Sequence, residues 1–204
     1  MRLTFTTFEL RLRHTFTIAR GSRDVVPVVF TEVEHDGIVG RGEASPSSRY
    51  GETAESVARF LAGLNLPEDE GPEHYRSILS NLDKKSKGNT AALASFDVAL
   101  HDWMGKKAGL PLYQMWGLDK RKTPLTSFTI GLDRPDVIER KVVEAEEYPI
   151  LKVKLGGEND RDVIGAIRKA TTKPIRVDAN EGWKTREIAL ERIKWLEDEG
   201  VEFV

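Results

Sequence analysis

Residues 150–180 read ILKVKLGGENDRDVIGAIRKATTKPIRVDAN, and their pattern decides the fold of the second half of the chain. Residues 150–155 form a short apolar run that ends at two glycines, and residues 174–180 form another. Such runs are typical of buried strands. Between them, residues 160–171 carry apolar side chains at helical spacing. A strand, a helix and a second strand in this order predict a parallel βα unit.

The same order of elements repeats through residues 125–204. Strands are predicted at residues 125–132, 150–155, 174–180 and 201–204, and helices at residues 134–148, 160–171 and 185–200. This repeat is the signature of a parallel sheet or a TIM-like (β/α) barrel, and it amounts to half of an eight-stranded barrel. An open half-barrel would leave an unpaired sheet edge. We therefore expect the chain to be truncated mid-barrel, with a self-sufficient four-stranded domain as the alternative.

The first half of the chain has a different pattern. Residues 3–12 and 25–44 are of β type, and the second stretch is predicted to turn at Asp36-Gly37 as a hairpin. Helical patterns follow, with Thr53 and Asn89 as N-cap candidates, at residues 53–64, 72–82 and 89–109. We therefore predict three segments: an α+β N-terminal capping domain at residues 1–118, a polar linker at residues 119–124 and the N-terminal half of the barrel at residues 125–204.

Composition excludes several classes of function. The 204 residues carry a net charge of −2 with 31% charged residues, which argues against a nucleic-acid surface or a polybasic membrane patch. The absence of cysteine excludes disulfides and thiolate metal sites. Residues 1–10 have no signal-type apolar run, and no segment approaches the ~18 apolar residues that a membrane helix requires. We expect a cytoplasmic protein that binds a small molecule, with homo-oligomerisation left open.

Lys152 and Lys154 are unusual in an otherwise apolar strand. Residues two apart on a strand share a face, so both ammonium groups would lie side by side at the strand end, where barrel active sites lie. At roughly 6.6 Å they would repel by about 2.5 kcal/mol at an effective dielectric near 20. One lysine could then accept a proton while the other stabilises an anion. The alternative is that the lysines are exposed or pair with acids.

Asp178 occupies the matching place in the next strand. Removal of a proton beside a carboxylate leaves an enolate, and Mg²⁺ held by carboxylate oxygens can stabilise such an anion. Asp178 is therefore predicted to be one Mg²⁺ ligand. Asn180 lies two residues on, on the same face by strand parity, and is predicted to orient the metal ligands without binding the metal.

Two motifs, LKVKLG (151–156) and IRVDANEGW (175–183), resemble the muconate-lactonizing-enzyme subgroup of the enolase superfamily. The resemblance covers essentially the whole chain, since its capping domain and first barrel strand are matched by GIVGRGEASP (37–46), ALHDWMGKKAGLPLYQMWG (99–117) and TSFTIG (126–131). Within the subgroup, FTIARGSRDVVPV (16–28) and SFTIG (127–131) are most similar to dipeptide epimerases of the L-Ala-D/L-Glu type.

The resemblance implies a Mg²⁺-dependent isomerase, an epimerase that abstracts the α-proton of a dipeptide through an enolate. It implies that Lys154 is the base, that Lys152 supports the enolate and contacts substrate, and that Asp178 binds Mg²⁺. The family's other metal carboxylates and its opposing base come from later strands. We therefore do not expect the 204-residue chain to be active by itself.

The resemblance also implies residues that select the substrate. Thr129, in the first barrel strand, would contact the dipeptide, and Arg20 or Arg23 in the first loop would help to choose its side chain. One departure is Glu181, which stands where glutamine is common in relatives. The preferred dipeptide is not predicted.

Other functions remain open from sequence. Cycloisomerases and o-succinylbenzoate synthases of the same superfamily share these residues. A Schiff-base aldolase would also use a lysine on a barrel strand. A third alternative is an inactive fragment or binding scaffold.

Overall fold

The computed structural model describes residues 1–66, 70–83, 86 and 88–204. Contacts divide the chain into two compact units. The first comprises Met1–Arg11 and Val25–Lys122, and the second comprises Leu12–Asp24 and Thr123–Val204. The boundary after Lys122 falls inside the predicted linker, whereas Leu12–Asp24, the outer part of a long hairpin, is grouped with the second unit. The predicted domain limits themselves stay a proposal.

A three-stranded sheet has the order β1-β2-β3, with strands at Arg2–Ile18, Gly21–His35 and Ile38–Ala44. The first unit contains β3 and the parts of β1 and β2 outside Leu12–Asp24. β2 and β3 pair antiparallel, with His35 opposite Ile38. The two turn residues, Asp36 and Gly37, have φ angles of 51° and 71°. Positive φ at both central residues is what a tight I′ hairpin requires, so the predicted turn is confirmed.

The first unit also has helices, namely α1 (Ala54–Ala62), α2 (Tyr75–Asp83), α3 (Thr90–Ala108) and α4 (Leu112–Met115), with 3-10 turns at Ser48–Tyr50, Pro72–His74 and Lys120–Lys122. Thr53 caps α1, because its hydroxyl accepts from the Ser56 amide while its own amide donates to the Ser56 hydroxyl. Gly109 follows α3 in the left-handed conformation. The predicted start of α1 and end of α3 are therefore confirmed.

The core of the first unit depends on a close approach between α3 and β3. A Cβ at Gly40 or Gly42 would collide with the carbonyl oxygen of Ala99 or Ser95. With glycine at both positions the helix lies directly on the sheet, and Phe96 on α3 has no exposed surface.

The N-terminus of α3 is capped by a residue distant in sequence. Asn89, the predicted cap, stands at the N-cap position but makes no side-chain capping bond. Instead Glu52, 4% exposed, accepts from the Ala91 amide at 3.0 Å and the Thr90 hydroxyl at 2.8 Å. Burial acts to raise the pKa of the Glu52 carboxyl, but these hydrogen bonds outweigh it and lower the pKa. The helix N-terminus thus receives a negative charge.

The second unit is a parallel sheet in the order β4-β5-β6-β7, with strands at Ser127–Ile130, Ile150–Lys154, Ile175–Asp178 and Val201–Phe203. The strands alternate with three helices, α5 (Pro135–Glu144), α6 (Asp160–Ala170) and α7 (Arg186–Asp198). Buried apolar side chains of the strands and helices form one core, which includes Leu151, Val153, Ile164, Ile167 and Leu196. The predicted βα order, that of a partial barrel, is confirmed. No helix in the described ranges has the length and apolarity needed to cross a membrane.

Candidate active site

Lys152, Lys154 and Asp178 meet at the C-terminal ends of β5 and β6. The strand register sets Lys154 opposite Asp178. The Lys154 ammonium donates to Asp178 Oδ2 at 2.8 Å, and the Lys152 ammonium lies 3.0 Å from the same oxygen. Both lysines therefore pair with an acid, as one reading of the sequence allowed. The carboxylate between them offsets the repulsion expected for an isolated pair of cations.

The two lysines differ in their access to solvent. The Lys154 side chain is 9% exposed and the Lys152 side chain 39%. Val153 and Leu155, on either side of Lys154 in the chain, have no exposed surface. The Lys154 ammonium therefore lies in a largely dry position, whereas the Lys152 side chain is accessible from solvent.

Asp178 is held in its ionised form. Burial of the carboxyl opposes ionisation, but hydrogen bonds from Lys154, Lys152 and the Asn180 amide outweigh burial. Together they hold the pKa of Asp178 well below its usual range. An ionised carboxylate at a strand end is the kind of oxygen ligand that Mg²⁺ prefers.

Asp178 fits one position of a Mg²⁺ site, and the described residues do not complete that site. Across residues 1–66, 70–83, 86 and 88–204, no three His, Cys, Asp or Glu side chains are grouped to hold a metal ion. Mg²⁺ requires near-octahedral oxygen coordination and usually keeps several waters. Asp178 would therefore supply one ligand among others.

Asn180 lies beyond the strand, not on it. β6 ends at Asp178, and Asn180 has a φ of 47°. The prediction that Asn180 shares a strand face with Asp178 was therefore wrong. The backbone amide of Asn180 donates to Asp178 Oδ1 at 3.0 Å, which helps to orient that carboxylate. Its buried Oδ1 has no hydrogen-bond partner within the described part of the chain. An oxygen so placed is available to a ligand or to water.

Thr129, Arg20 and Arg23 were the residues predicted to contact substrate. Thr129 is half-buried and lies opposite Lys152 in the register of β4 and β5. It is therefore next to the lysine pair in the sheet. The Arg20 guanidinium is 3.3 Å from the Glu181 carboxylate, on the loop after β6. Arg23 makes a different contact, with its guanidinium 5.8 Å from the centroid of the Phe16 ring. The structure therefore brings Arg20, but not Arg23, to the loop that carries Asn180.

Asp160 was not predicted from the sequence to belong to the site. It is fully buried at the start of α6 and accepts hydrogen bonds from the amides of Gly156 and Gly157 and from the indole of Trp183. Trp183 is partly buried against the core of the second unit. An acid shortly after a Gly-Gly pair is a weak sequence signal, because acids are common in the first turn of any helix.

The geometry can be compared with known proteins. Residues 2–117 match the model of the mandelate racemase / muconate lactonizing enzyme N-terminal domain, and residues 137–204 match the enolase C-terminal domain-like model. The L-Ala-D/L-Glu epimerase of Bacteroides thetaiotaomicron is 50% identical over 202 residues, which are 98% of this chain and 53% of that protein. The L-Ala-D/L-amino acid epimerase of Pedosphaera parvula is 39% identical over 211 residues, covering 100% of this chain and 60% of that protein.

Solved structures give the same picture. The dipeptide epimerase from Enterococcus faecalis, complexed with Mg and L-Leu-L-Tyr, superposes with a TM-score of 0.85 at 34% identity, covering 98% of this chain and 58% of that one. The substrate-liganded L-Ala-D/L-Glu epimerase from Bacillus subtilis gives a TM-score of 0.85 at 28% identity, covering 99% and 59%. The chain thus spans little more than half the length of the relatives it matches.

Proposed function

The chain belongs to the mandelate racemase / muconate lactonizing enzyme family of the enolase superfamily, and we propose that it supplies one face of the active site of a Mg²⁺-dependent dipeptide epimerase. The observation that carries the proposal is the Lys152–Asp178–Lys154 cluster, in which two cations and one carboxylate meet within 3.0 Å contacts at the ends of two barrel strands. The names of the relatives, several of them dipeptide epimerases, support the substrate class.

Lys154 is proposed as the base. In its neutral form its Nζ would take the α-proton of the dipeptide, so that the C–H bond breaks and its electron pair passes into the adjacent carbonyl group. The low exposure of Lys154 keeps water away from the transferred proton. Reversal of the same step returns a proton to the same face of the α-carbon.

Lys152 is proposed to remain charged and to stabilise the negative charge that develops on the substrate. Its greater exposure supports this role, because its ammonium can approach a bound carboxylate. When bound, Mg²⁺ would add Lewis-acid stabilisation of the same charge, with Asp178 holding one of its positions.

Epimerisation also needs a base on the opposite face of the α-carbon. The family resemblance assigns that base to a later strand than those of residues 125–204. Thr129 and Arg20 are proposed to contact the dipeptide, with Arg20 favoured over Arg23 because it reaches the loop after β6. An acidic substrate side chain would suit Arg20.

The proposal is tested by measuring solvent deuterium incorporation at the α-carbon of each member of a dipeptide library. The measurement uses the intact protein, which here and below means the full-length protein that contains these 204 residues. Lys154→Ala should abolish exchange from one of the two substrate epimers, and Lys152→Ala should slow exchange by several orders of magnitude without unfolding the protein. Wild-type exchange in either variant would refute these roles. Borohydride trapping separates the aldolase alternative, since only a Schiff base would leave a covalent adduct.

A further inference from the structure

We propose that Asp160 is a positioning residue for the proton transfer, because its carboxylate ties the loop that follows β5 to the loop that follows β6. These two loops continue directly from Lys154 and Asp178. The effect on turnover rests on the proposed function, whereas the tie between the loops does not.

Three N–H groups converge on the Asp160 carboxylate. Oδ1 accepts from the amides of Gly156 and Gly157, both at 2.9 Å, and Oδ2 accepts from the Trp183 indole at 3.0 Å. The Asp160 side chain is fully buried, so these bonds are not exchanged with water. The Asp160 side chain therefore joins Gly156 and Gly157 to Trp183, which lies 23 residues after Asp160 in the sequence.

The two loops also touch through their backbones. Gly156 has a φ of +109°, and a Cβ there would collide with the carbonyl of Ala179 and approach the Cα of Gly182 to 2.9 Å. The Leu155 amide donates to the Asp178 carbonyl at 3.1 Å. Because the loops are in van der Waals contact, a bond that fixes one of them also fixes the other. Lys154 and Asp178, whose side chains are 2.8 Å apart, are the strand residues from which these two loops start.

A carboxylate suits this position better than an amide. Both oxygens of Asp160 face donors, so both must accept. An asparagine offers one accepting oxygen and one donating NH₂ group, and it would set donor against donor either at the glycine amides or at Trp183. Asp160→Asn therefore breaks the tie at one of its two ends while it keeps the size of the side chain.

A purely helical role for Asp160 can be tested separately. Asp160 begins α6, where a negative charge is favourable whatever else it contacts. Asp162 lies in the same first turn but is exposed. Asp162→Asn removes the same charge from the same turn without touching either loop, and it is the matched control.

The experiment compares Asp160→Asn, Trp183→Phe and Asp162→Asn in the intact protein. For Asp160→Asn we expect kcat to fall by about 10–100-fold with a smaller change in KM, as is typical when a partner of active-site groups is removed. Of the three hydrogen bonds to Asp160, Trp183→Phe removes only the one to Oδ2, so it should show a smaller fall of the same kind. Asp162→Asn should match the wild type in both constants.

Hydrogen exchange followed by NMR gives a readout that needs no activity. In Asp160→Asn, the Gly156 and Gly157 amides or the Trp183 indole should exchange at least about tenfold faster, while amides of the α6 interior stay protected. Unchanged exchange at all three sites, or equal losses of kcat in Asp160→Asn and Asp162→Asn, would overturn the proposal. If Asp160→Asn does not fold, Trp183→Phe with unchanged kcat and unchanged Gly156 exchange overturns it as well. A wild-type protein inactive on dipeptides would refute the proposed function, and the exchange data would still decide the tie.

Discussion

Asp178→Asn provides a quantitative test of the cation pair. The two ammonium nitrogens cannot be more than 5.8 Å apart, which is the sum of the 2.8 Å and 3.0 Å contacts with Asp178 Oδ2. At an effective dielectric near 20, two unit charges at that distance repel by about 2.9 kcal/mol. Lys152 is 39% exposed, so solvent and salt reduce the net repulsion to about 1–2 kcal/mol. The variant leaves both cations without the charge that offsets this repulsion.

The assay is thermal unfolding of the intact protein at neutral pH in EDTA. For a chain of about 200 residues, each kcal/mol lowers Tm by about 2–4 °C, so Asp178→Asn should lower Tm by roughly 2–8 °C. Adding Lys152→Met to this variant removes one cation and should recover a substantial part of the loss. The exposed Asp162→Asn controls for loss of a carboxylate as such.

The refuting result is specific. If Asp178→Asn/Lys152→Met is no more stable than Asp178→Asn alone, repulsion between the lysines does not cause the loss. The pH dependence gives a second check. Because the pKa of Asp178 is depressed, its stabilising contribution is complete above its ordinary value near 3.8 and is lost as pH falls below that value. The stability gap between wild type and Asp178→Asn should therefore narrow on acidification below about pH 4.

Three further predictions concern the substrate, the metal and the first unit. Arg20→Met should raise KM for acidic dipeptides by about two- to fivefold, as expected for a partly exposed ion pair, and leave apolar dipeptides nearly unchanged, with Arg23→Met as the control. Equal effects on both substrate classes would contradict a role of Arg20 in recognising charge. By titration calorimetry, the 204-residue chain should bind Mg²⁺ only in the millimolar range or more weakly, whereas the intact protein should lose activity in EDTA. Tight stoichiometric binding by the 204 residues would mean that Asp178 already belongs to a complete site. Glu52→Gln should destabilise the protein by about 1–2 kcal/mol because α3 loses its charged cap, and a Tm within 1 °C of the wild type would assign that capping elsewhere.

The features that could be predicted from the sequence are those set by local chemistry. The Asp36-Gly37 turn follows from the left-handed backbone that these residue types tolerate. The shared face of Lys152 and Lys154 follows from the two-residue period of a strand, and the approximate position of Asp178 follows from the repeat of strand and helix.

The features that were missed depend on contacts between distant segments. Glu52 caps a helix that begins at Thr90, and nothing near Glu52 in the sequence indicates that role. Asp160 resembles an ordinary acid in a first helical turn until its three donors are placed around it. The choice between Arg20 and Arg23 depends on which arginine the folded loop directs towards Glu181, and residue type alone cannot decide that.

The ion pair between Arg20 and Glu181 has a consequence for substrate competition. Arg20 already has a carboxylate partner in the absence of substrate, so an acidic dipeptide would exchange one carboxylate for another and would not meet a bare cation. The gain in affinity is then only the difference between two similar contacts, both partly exposed. An apolar dipeptide leaves the pair intact and loses nothing there. We therefore expect removal of the internal competitor, in Glu181→Gln, to sharpen the preference for acidic dipeptides, since selectivity depends on differences between affinities and not on the strength of any one contact.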